Sequence, residues 1–321
     1  MKIVILGAGA VGGHIAARLA KAGLAVSVIA RGPHLAAIQA NGLRLTTEAD
    51  DFTVRLPASD RAEDFGPQDL IISTVKAHSL TSVVPALKSL SGPQTTIVYA
   101  VNGVPWWYFH KHPNPDWAER PIDRLDPGGL LWREVGVERA LGCVIQSPNT
   151  IVAPGVIHCK WAQSSFTLGD PAGGLTPRLA AIIDALKPGL DGVTATPDIR
   201  TAVWKKIALN VAGSCLGVLT LSAEGQVIAD PNLLPLYETL LSEASAVAAG
   251  LGVSAAPDIP TRLKAMAGST HRASMLQDLE AGRPMEIEAQ LGAVQELARL
   301  AGVPVPTLDT LLPLIRARAR A

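Results

Sequence analysis

Six residues close to the N-terminus have the spacing of a phosphate-binding turn. They are Gly7, Ala8, Gly9, Ala10, Val11 and Gly12, the pattern GxGxxG, and they directly follow the apolar, β-rich run Lys2–Leu6. In such a turn the first glycine permits the tight bend, the second lets the backbone approach a pyrophosphate, and the third lets helix and strand pack closely. The start of the next helix offers free N–H groups and a favourable dipole to phosphates. In this context the pattern predicts dinucleotide binding.

The residue after the second strand predicts which dinucleotide binds. Arg31 follows the strand Ala25–Ala30, nineteen residues after Gly12, and no acidic residue stands beside it. An NAD enzyme usually places Asp or Glu about 20 residues on, where the carboxylate binds the ribose 2′-hydroxyl. A guanidinium suits a 2′-phosphate instead. We therefore expect NADP(H) as cofactor, the alternative being an arginine that extends into solvent at the sheet edge.

Two further polar side chains follow predicted strands. Lys76 comes directly after the apolar run Asp69–Val75, and Asn102 comes directly after Thr95–Val101. Ligands of open α/β sheets bind at the carboxyl ends of strands. This position makes both residues candidates for the site, although solvated loops also contain such residues.

Lys206 and Asn210 are the clearest candidates for chemistry in the second half of the chain. They lie four apart on a predicted helix and share one face, which Ser214 continues. The rest of that face is apolar, and buried polar groups need partners or a ligand. A lysine there could donate a proton to a carbonyl oxygen as hydride reaches the carbon. The alternative is a lysine whose charge extends into water, as we expect for Lys205, about 100° away around the helix.

The elements around these residues predict two domains. The first half alternates strands and helices, which indicates an α/β fold with an open, helix-flanked sheet. From Pro197-Asp198 onward the pattern is almost wholly helical, with predicted helices at Ile199–Leu221, Leu233–Leu251, Ile259–Ala267, Met285–Ala301 and Thr307–Ala319. We expect a dinucleotide-binding domain over 1–196 and an all-helical substrate domain over 197–321.

Residues 105–136 interrupt the alternation. This stretch is rich in proline and aromatic residues and contains the run PWWYF. A long irregular stretch is often a functional loop or lid, and the alternative is a surface insertion that packs on itself. Trp106, Trp107 and Tyr108 could line a pocket for a large or flat substrate.

Composition excludes several function classes. The chain has 321 residues, 48% of them hydrophobic, and a formal net charge of zero. This argues against a broad electrostatic surface for nucleic acid or an anionic membrane. The three cysteines form no CxxC pair, and His110 and His112 lack a carboxylate cluster at ligand spacing, so we expect neither a disulfide framework nor a metal site.

Nothing in the sequence predicts a targeting or membrane segment. The first residues run straight into the glycine turn, without the apolar stretch of a signal peptide. The longest uncharged stretch, Ile207–Ala223, is short for a membrane span of about 20 residues, so we interpret it as a buried helix. We expect a cytoplasmic protein, and the apolar helices of the second half could support a homodimer.

The motifs together resemble the ketopantoate reductase (2-dehydropantoate 2-reductase) family along nearly the whole chain. In the first half the resemblance rests on KIVILGAGAVGG, Arg31, VKAH around Lys76 and VNG at Asn102. In the second half it rests on WKKIALN, on SMLQD from Ser274 and on MEIE around Glu286. The family implies a Rossmann domain followed by an all-helical domain, with the active site in the cleft between them.

The resemblance also implies a role for each residue in NADPH-dependent reduction of ketopantoate to pantoate. Lys206 matches the general acid and Glu286 the acid beside the nicotinamide ribose. Asn210 matches a contact to the substrate hydroxyl and Ser274 a contact to its carboxylate. The other matches are to cofactor contacts at Gly7 through Gly12, Arg31 and Lys76, and to a contact with cofactor and lysine at Asn102.

Several positions depart from the family pattern. Ser214 stands where a second asparagine is common, His271 stands where Asn often precedes SMLQD, and Glu288 replaces a frequent Asp. Ser214 and His271 lie where the substrate's polar groups would be recognised. The alternatives are therefore a paralogue that reduces a different, bulkier 2-keto acid or an imine, and a non-catalytic NADP(H)-binding regulator.

Overall fold

Short runs of apolar residues form the middle of the larger of two sheets. The computed structural model describes residues 1–160 and 164–320. Every residue of the first two strands is buried, as expected for parallel strands covered on both faces.

The strands within the described residues are β1 (Ile3–Leu6), β2 (Val26–Ile29), β3 (Leu43–Thr46), β4 (Asp51–Val54), β5 (Ala58–Ser59), β6 (Gln68–Ser73), β7 (Ser91–Tyr99), β8 (Ala140–Gln146), β9 (Asn149–Ala153), β10 (Val156–Cys159), β11 (Ser165–Gly169) and β12 (Val193–Ala195).

The larger sheet is parallel through most of its width. Its strand order is β12-β11-β8-β7-β6-β1-β2-β5, and only the β8–β11 pair is antiparallel among its described pairs. In register, Leu6 of β1 lies opposite Ile29 of β2 and Ser73 of β6, and Ser73 lies opposite Tyr99 of β7. The carboxyl ends of these four strands therefore lie side by side and form one edge of the sheet. The α/β class predicted from the sequence is confirmed.

The smaller sheet, of order β4-β3-β10-β9, includes three strands that the sequence did not predict. Of these four strands the sequence pattern predicts only one, over Val156–Lys160, which is β10. The others are short: β3 and β4 alternate between more and less buried residues, and β9 is exposed at four of its five residues. Strand β3 pairs with β10 more than a hundred residues later in the chain, and no local pattern indicates such a pairing.

Helices cover the larger sheet and make up the C-terminal part of the chain. The α-helices of the described residues are α1 (Ala10–Lys21), α2 (Gly32–Asn41), α3 (Val84–Leu90), α4 (Pro177–Leu186), α5 (Ile199–Thr220), α6 (Glu224–Ala229), α7 (Leu234–Gly250), α8 (Ile259–Met266), α9 (Ser274–Glu280), α10 (Ala293–Leu300) and α11 (Pro306–Arg318). Helices α5, α7, α8 and α11 lie close to predicted helices, and α10 with the π-helical turn before it occupies most of the predicted helix Met285–Ala301. The sequence did not predict α6 and α9. In the first half the sequence pattern predicts a helix over Ser79–Leu90. Helix α3 is shorter than this, because it begins beside Pro85 after two 3₁₀ turns.

The aromatic segment is core rather than surface. Trp106, Trp107, Tyr108 and Phe109 are each at most 3% exposed. The Trp106 ring meets Tyr99 of β7 edge to face, with 5.3 Å between ring centroids. These rings do not offer an exposed wall for a large substrate, so their burial removes the basis for that expectation.

The described chain divides into two compact units. The first comprises Met1–Val101 and Trp106–Ile199, and the second comprises Asn102–Pro105 and the residues from Arg200 onward. The second unit is helical, as predicted. The boundary expected at 197 stays a prediction, because compactness alone does not show that a segment folds independently.

Helix α5 is the one described helix whose length and composition would allow a membrane span. Its most apolar 18-residue window has a mean hydropathy of 1.3, and 67% of that window is buried inside the protein. Core helices have the same properties, so this is weak evidence for a membrane span.

Candidate active site

The glycine turn joins β1 to α1 in the first unit and is anchored on the neighbouring strand. The N–H groups of Gly7 and Ala8 both donate to the carbonyl oxygen of Ile29 in β2, at 3.1 and 2.9 Å. Gly7 has a φ of +94°, which favours glycine. Helix α1 starts immediately after the turn, so its first N–H groups have no partner within the helix.

Gly9 and Gly12 are needed for different reasons. A Cβ at Gly12 would overlap the carbonyl oxygen of Gly7 and the hydroxyl of Thr74, which itself donates to that carbonyl. A Cβ at Gly9 would meet no described protein atom within 4 Å. Gly12 is therefore required by packing, whereas Gly9 keeps open the surface at the start of α1. This surface fits the phosphates of a dinucleotide.

Arg31 lies directly before α2, at the edge where β1, β2 and β6 end. Its side chain is exposed and its backbone is extended. His34, one turn later, is a residue that the sequence did not single out. Its Nδ1 accepts from the N–H of Gly155 at 3.0 Å, and burial lowers its pKa. The half-buried, neutral imidazole of His34 thus lies one helical turn after Arg31 in the chain.

Lys76 and Asn102 each follow a strand of this edge, as the sequence predicts. Lys76 lies three residues past β6 and is half-buried. Asn102 lies three residues past β7, within the short segment that belongs to the second unit. Gly103 there has a φ of +85°, and a Cβ on it would overlap the backbone of Ala289. The N–H of Val104 donates to the Ala289 carbonyl at 2.9 Å, which ties Asn102 to the helical unit.

Helix α5 carries a polar stripe whose burial increases along its length. Lys206 and Asn210 are half-buried, and Ser214 is 1% exposed. Lys205 is exposed, as expected for a residue on another side of the helix. Ile207 and Val211 beside the stripe are buried, so the polar side chains stand among apolar ones.

A second polar stripe begins at Glu286, which is 5% exposed. The chain enters a π-helical turn at Glu288–Gly292, and the N–H of Gln290 donates to the Glu286 carbonyl at 3.0 Å. The Gln290 side chain contacts α5, where its Oε1 accepts a hydrogen bond from the Ser214 hydroxyl at 3.4 Å. This bond joins the two stripes. The unusual Glu288 pairs with Arg316 of α11 through two bonds of 2.9 Å.

Ser274 and His271 lie near the same part of α5 but are more exposed. Ser274 is the first residue of α9, and His271 is in the loop before it. That loop is fastened to the start of α6, because the N–H of Glu224 donates to the His271 carbonyl at 2.9 Å. A Cβ at Gly217, three residues past Ser214, would lie 3.9 Å from Ala273. The beginning of α9 therefore faces α5 just beyond the polar stripe.

A buried cluster around Glu224 was not predicted. Glu224 is 7% exposed and accepts from the Tyr237 hydroxyl and, at 2.6 Å, from the Arg262 guanidinium. Burial raises the pKa of Tyr237, and the negative charge of Glu224 raises it further. A Cβ at Gly213 would lie 3.7 Å from the Glu224 carboxylate, so the cluster borders α5 beside Ser214. In the sequence these three residues look like ordinary helix-surface residues.

Within residues 1–160 and 164–320, no group of three or more His, Cys, Asp or Glu side chains could hold a metal ion. His110 pairs with Glu119 at 2.8 Å instead.

Comparisons with known proteins identify the family of the chain. The family model Ketopantoate reductase PanE/ApbA matches residues 3–106, and its C-terminal counterpart matches residues 198–319. The chain belongs to the ketopantoate reductase family. A 2-dehydropantoate 2-reductase of Mesorhizobium japonicum is 41% identical over 98% of this chain and 97% of its own length. The resemblance inferred from the motifs is thereby confirmed, and the chain is an oxidoreductase of the ketopantoate reductase type.

Solved structures of relatives have the same fold. A protein of Ralstonia solanacearum MolK2 assigned as a ketopantoate reductase is 37% identical, with a TM-score of 0.92, and the match covers 99% of this chain and 98% of that one. D-mandelate dehydrogenase, solved with NADH and anilino(oxo)acetate, is 20% identical, with a TM-score of 0.83 over 100% of this chain and 98% of its own. At that identity the likeness concerns the fold alone.

Proposed function

We propose that this ketopantoate reductase relative catalyses the NADPH-dependent reduction of 2-dehydropantoate (ketopantoate) to pantoate. The observation that carries the proposal is the joining of two polar stripes in the helical unit. One contains Lys206 and Asn210, the other begins at Glu286, and the segment of Asn102 is tied to the second stripe. A protein that only binds a dinucleotide has no need of such an arrangement.

The glycine turn and the residues at the same sheet edge hold the cofactor in this proposal. The N–H groups at the start of α1 receive the pyrophosphate, and Gly9 leaves room for it. The exposed Arg31 receives the 2′-phosphate of NADPH, and Lys76, Asn102 and Glu286 contribute further contacts. When bound, NADPH supplies the hydride that reduces the carbonyl carbon.

Lys206 is the general acid of the proposed reaction. As C2 of the keto acid gains a hydride, its carbonyl oxygen gains a proton from the Lys206 ammonium group, and the C=O double bond becomes a C–OH single bond. The neutral lysine regains a proton from water.

The remaining residues bind the substrate. Ser274 receives the carboxylate of the keto acid, and Asn210 receives its hydroxyl group. Ser214 and His271 border the same region, where the family more often has amides. Substrate preference is therefore the part of the proposal that most needs measurement.

The experiment follows NADPH consumption by absorbance with 2-dehydropantoate and a panel of other 2-keto acids, bulky aromatic ones and an imine included. We expect 2-dehydropantoate to give the highest kcat/KM. A better bulky substrate would assign the chain to a paralogous reductase. Tight NADPH binding without turnover of any compound would favour a non-catalytic regulator.

The cofactor part of the proposal has its own test. Arg31→Ala should lower the preference for NADPH over NADH by about 10–100-fold, because a charge-assisted hydrogen bond to the 2′-phosphate is lost. Activity with NADH should change little. An unchanged preference would show that Arg31 does not recognise the phosphate. The cytoplasmic location and a homodimer stay predictions.

A further inference from the structure

Gln290 has a buried hydrogen-bond donor that the protein leaves unused. The residue is 1% exposed, and its Nε2 has no hydrogen-bond partner among the described residues. Its Oε1 takes part in the single long bond to Ser214, at 3.4 Å. An unmade hydrogen bond on a buried amide is destabilising, and native proteins contain few of them. Such a group calls for a specific explanation.

The position of Gln290 relates it to the candidate active site. It lies one helical turn past Glu286, and its partner Ser214 lies one turn past Asn210 and two past Lys206. The half-buried Lys206 and Asn210 stand at the accessible end of the stripe, and the fully buried Ser214 and Gln290 stand at its inner end.

The local backbone holds Gln290 in place from two sides. It lies in the middle of a π-helical turn, a feature that often occurs at functional sites. The Arg316–Glu288 ion pair holds that turn on one side. On another side, Gly103 and Val104 pack on the Ala289 backbone. The backbone is therefore fixed, while one long hydrogen bond is the only described bond of the side-chain amide.

A second glutamine on the same helical segment provides a comparison. Gln295 is also buried, at 8% exposure, and its Nε2 donates to Asp309 at 2.5 Å. Where the amide serves packing, this segment thus gives it a partner. Gln290 has no partner for its donor among residues 1–160 and 164–320, which points to a partner that arrives with a ligand.

We propose that Gln290 is a specificity-determining residue that donates a hydrogen bond from Nε2 to an oxygen in the tail of the substrate. In 2-dehydropantoate that oxygen is the C4 hydroxyl, the polar group furthest from the carboxylate. The contact residue of Gln290, Ser214, lies one helical turn from Asn210, which places the Gln290 amide near the end of the stripe where the hydroxyl group is bound. The inference rests on the proposed reduction of a 2-keto acid and adds a second residue, beside Asn210, that binds the hydroxyl group in the acid's tail.

The test compares two substrates that differ only in the hydroxyl group. 2-Dehydropantoate carries it, and 3,3-dimethyl-2-oxobutanoate has a hydrogen in its place. The measured quantity is the ratio of kcat/KM for the two compounds. Gln290→Leu should lower this ratio by about 10-fold, because only the hydroxylated substrate loses a hydrogen bond. The kcat/KM of the deoxy compound should stay close to that of the wild type.

A second variant moves the amide to the facing helix. Ser214 contacts the Gln290 amide, so an asparagine at 214 would occupy neighbouring space. The double variant Ser214→Asn/Gln290→Leu should recover most of the lost ratio.

Controls separate specificity from folding. Gln295→Leu removes a buried amide from the same segment and should lower thermal stability while leaving the substrate ratio unchanged. If Gln290→Leu does not fold, Gln290→Met is measured in its place. A folded Gln290 variant with the wild-type ratio would overturn the inference and leave the proposed function standing. A wild-type protein that reduces neither compound would overturn both.

Discussion

The glycine turn of the first unit and the polar stripes of the second are built in opposite ways. The turn comes from one continuous stretch, and its geometry depends on backbone bonds to β2 and on the absence of side chains. The stripes come from two distant segments, around Lys206 and Glu286, to the second of which the segment of Asn102 is tied, and they depend on side chains that meet only in the folded chain. Substitutions in the turn should therefore change packing and the space for the cofactor, whereas substitutions in the stripes should change the rate of the reaction.

The largest expected effect tests the chemical side of this contrast. Lys206→Ala should lower kcat by about 10²–10⁴-fold, the usual contribution of a general acid, without weakening NADPH binding. Steady-state kinetics and a cofactor titration measure the two quantities separately. Lys205→Ala is the matched control, because Lys205 is the neighbouring residue and is exposed. A Lys206→Ala enzyme with near-wild-type turnover would remove the lysine from the mechanism.

The next effect tests the steric side. Gly12→Ala should lower the free energy of unfolding by about 3 kcal/mol, because its Cβ overlaps the Gly7 carbonyl and the Thr74 hydroxyl. Gly9→Ala should unfold like the wild type and weaken NADPH binding by at least about 10-fold, since its Cβ enters the space for the pyrophosphate. Denaturant unfolding and a cofactor titration measure the pair.

Equal effects of the two glycine substitutions would contradict this distinction. If Gly9→Ala bound NADPH normally, the dinucleotide would not pass over the start of α1. If Gly12→Ala kept full stability, the turn would be more adaptable than its packing indicates.

The smallest predicted effect concerns pH and the helix that follows the turn. His14 of α1 is 3% exposed, and its Nδ1–H donates to Asn149 of β9 at 2.9 Å. Burial lowers the pKa of His14 from 6.5 to about 4. The unfolded chain takes up the proton first as pH falls, so stability decreases below pH 6.5 and continues to decrease down to about 4.

The loss between pH 7 and pH 5 should be about 2 kcal/mol. Urea unfolding at the two pH values measures it. His14→Leu should remove this part of the pH dependence, whereas the control His78→Asn, at an exposed histidine, should retain it. A His14→Leu protein with the wild-type slope would place the acid sensitivity elsewhere.

The parts of the fold that depend on local sequence could be predicted. Strands β1 and β2 and helix α5 lie within a few residues of their expected bounds, because apolar runs and helical spacing are local signals. The small sheet could not be predicted, since β3 pairs with β10 across most of the first unit. The aromatic run could not be assigned to the core either, because its rings pack against one another and against Tyr99 rather than along a regular element.

The candidate site divides in the same way. Helical spacing alone brings Lys206, Asn210 and Ser214 onto one face, and the structure has them there. Glu286 and Ser274 were indicated only by the resemblance to the family. Gln290 and Glu224 carried no signal, because a glutamine or glutamate in a helix normally faces water, and only tertiary packing buries these two.

In the proposed function, the glycine turn binds NADPH and the polar stripes catalyse the reduction of one particular keto acid. The most direct test of this claim incubates the wild-type protein with NADPH and 2-dehydropantoate, and follows NADPH by absorbance while mass spectrometry identifies the product. We predict that pantoate forms in equal amount to the NADPH consumed, and that the reaction fails without either compound. NADPH consumption without pantoate, or no consumption while another keto acid is reduced rapidly, would contradict the claim.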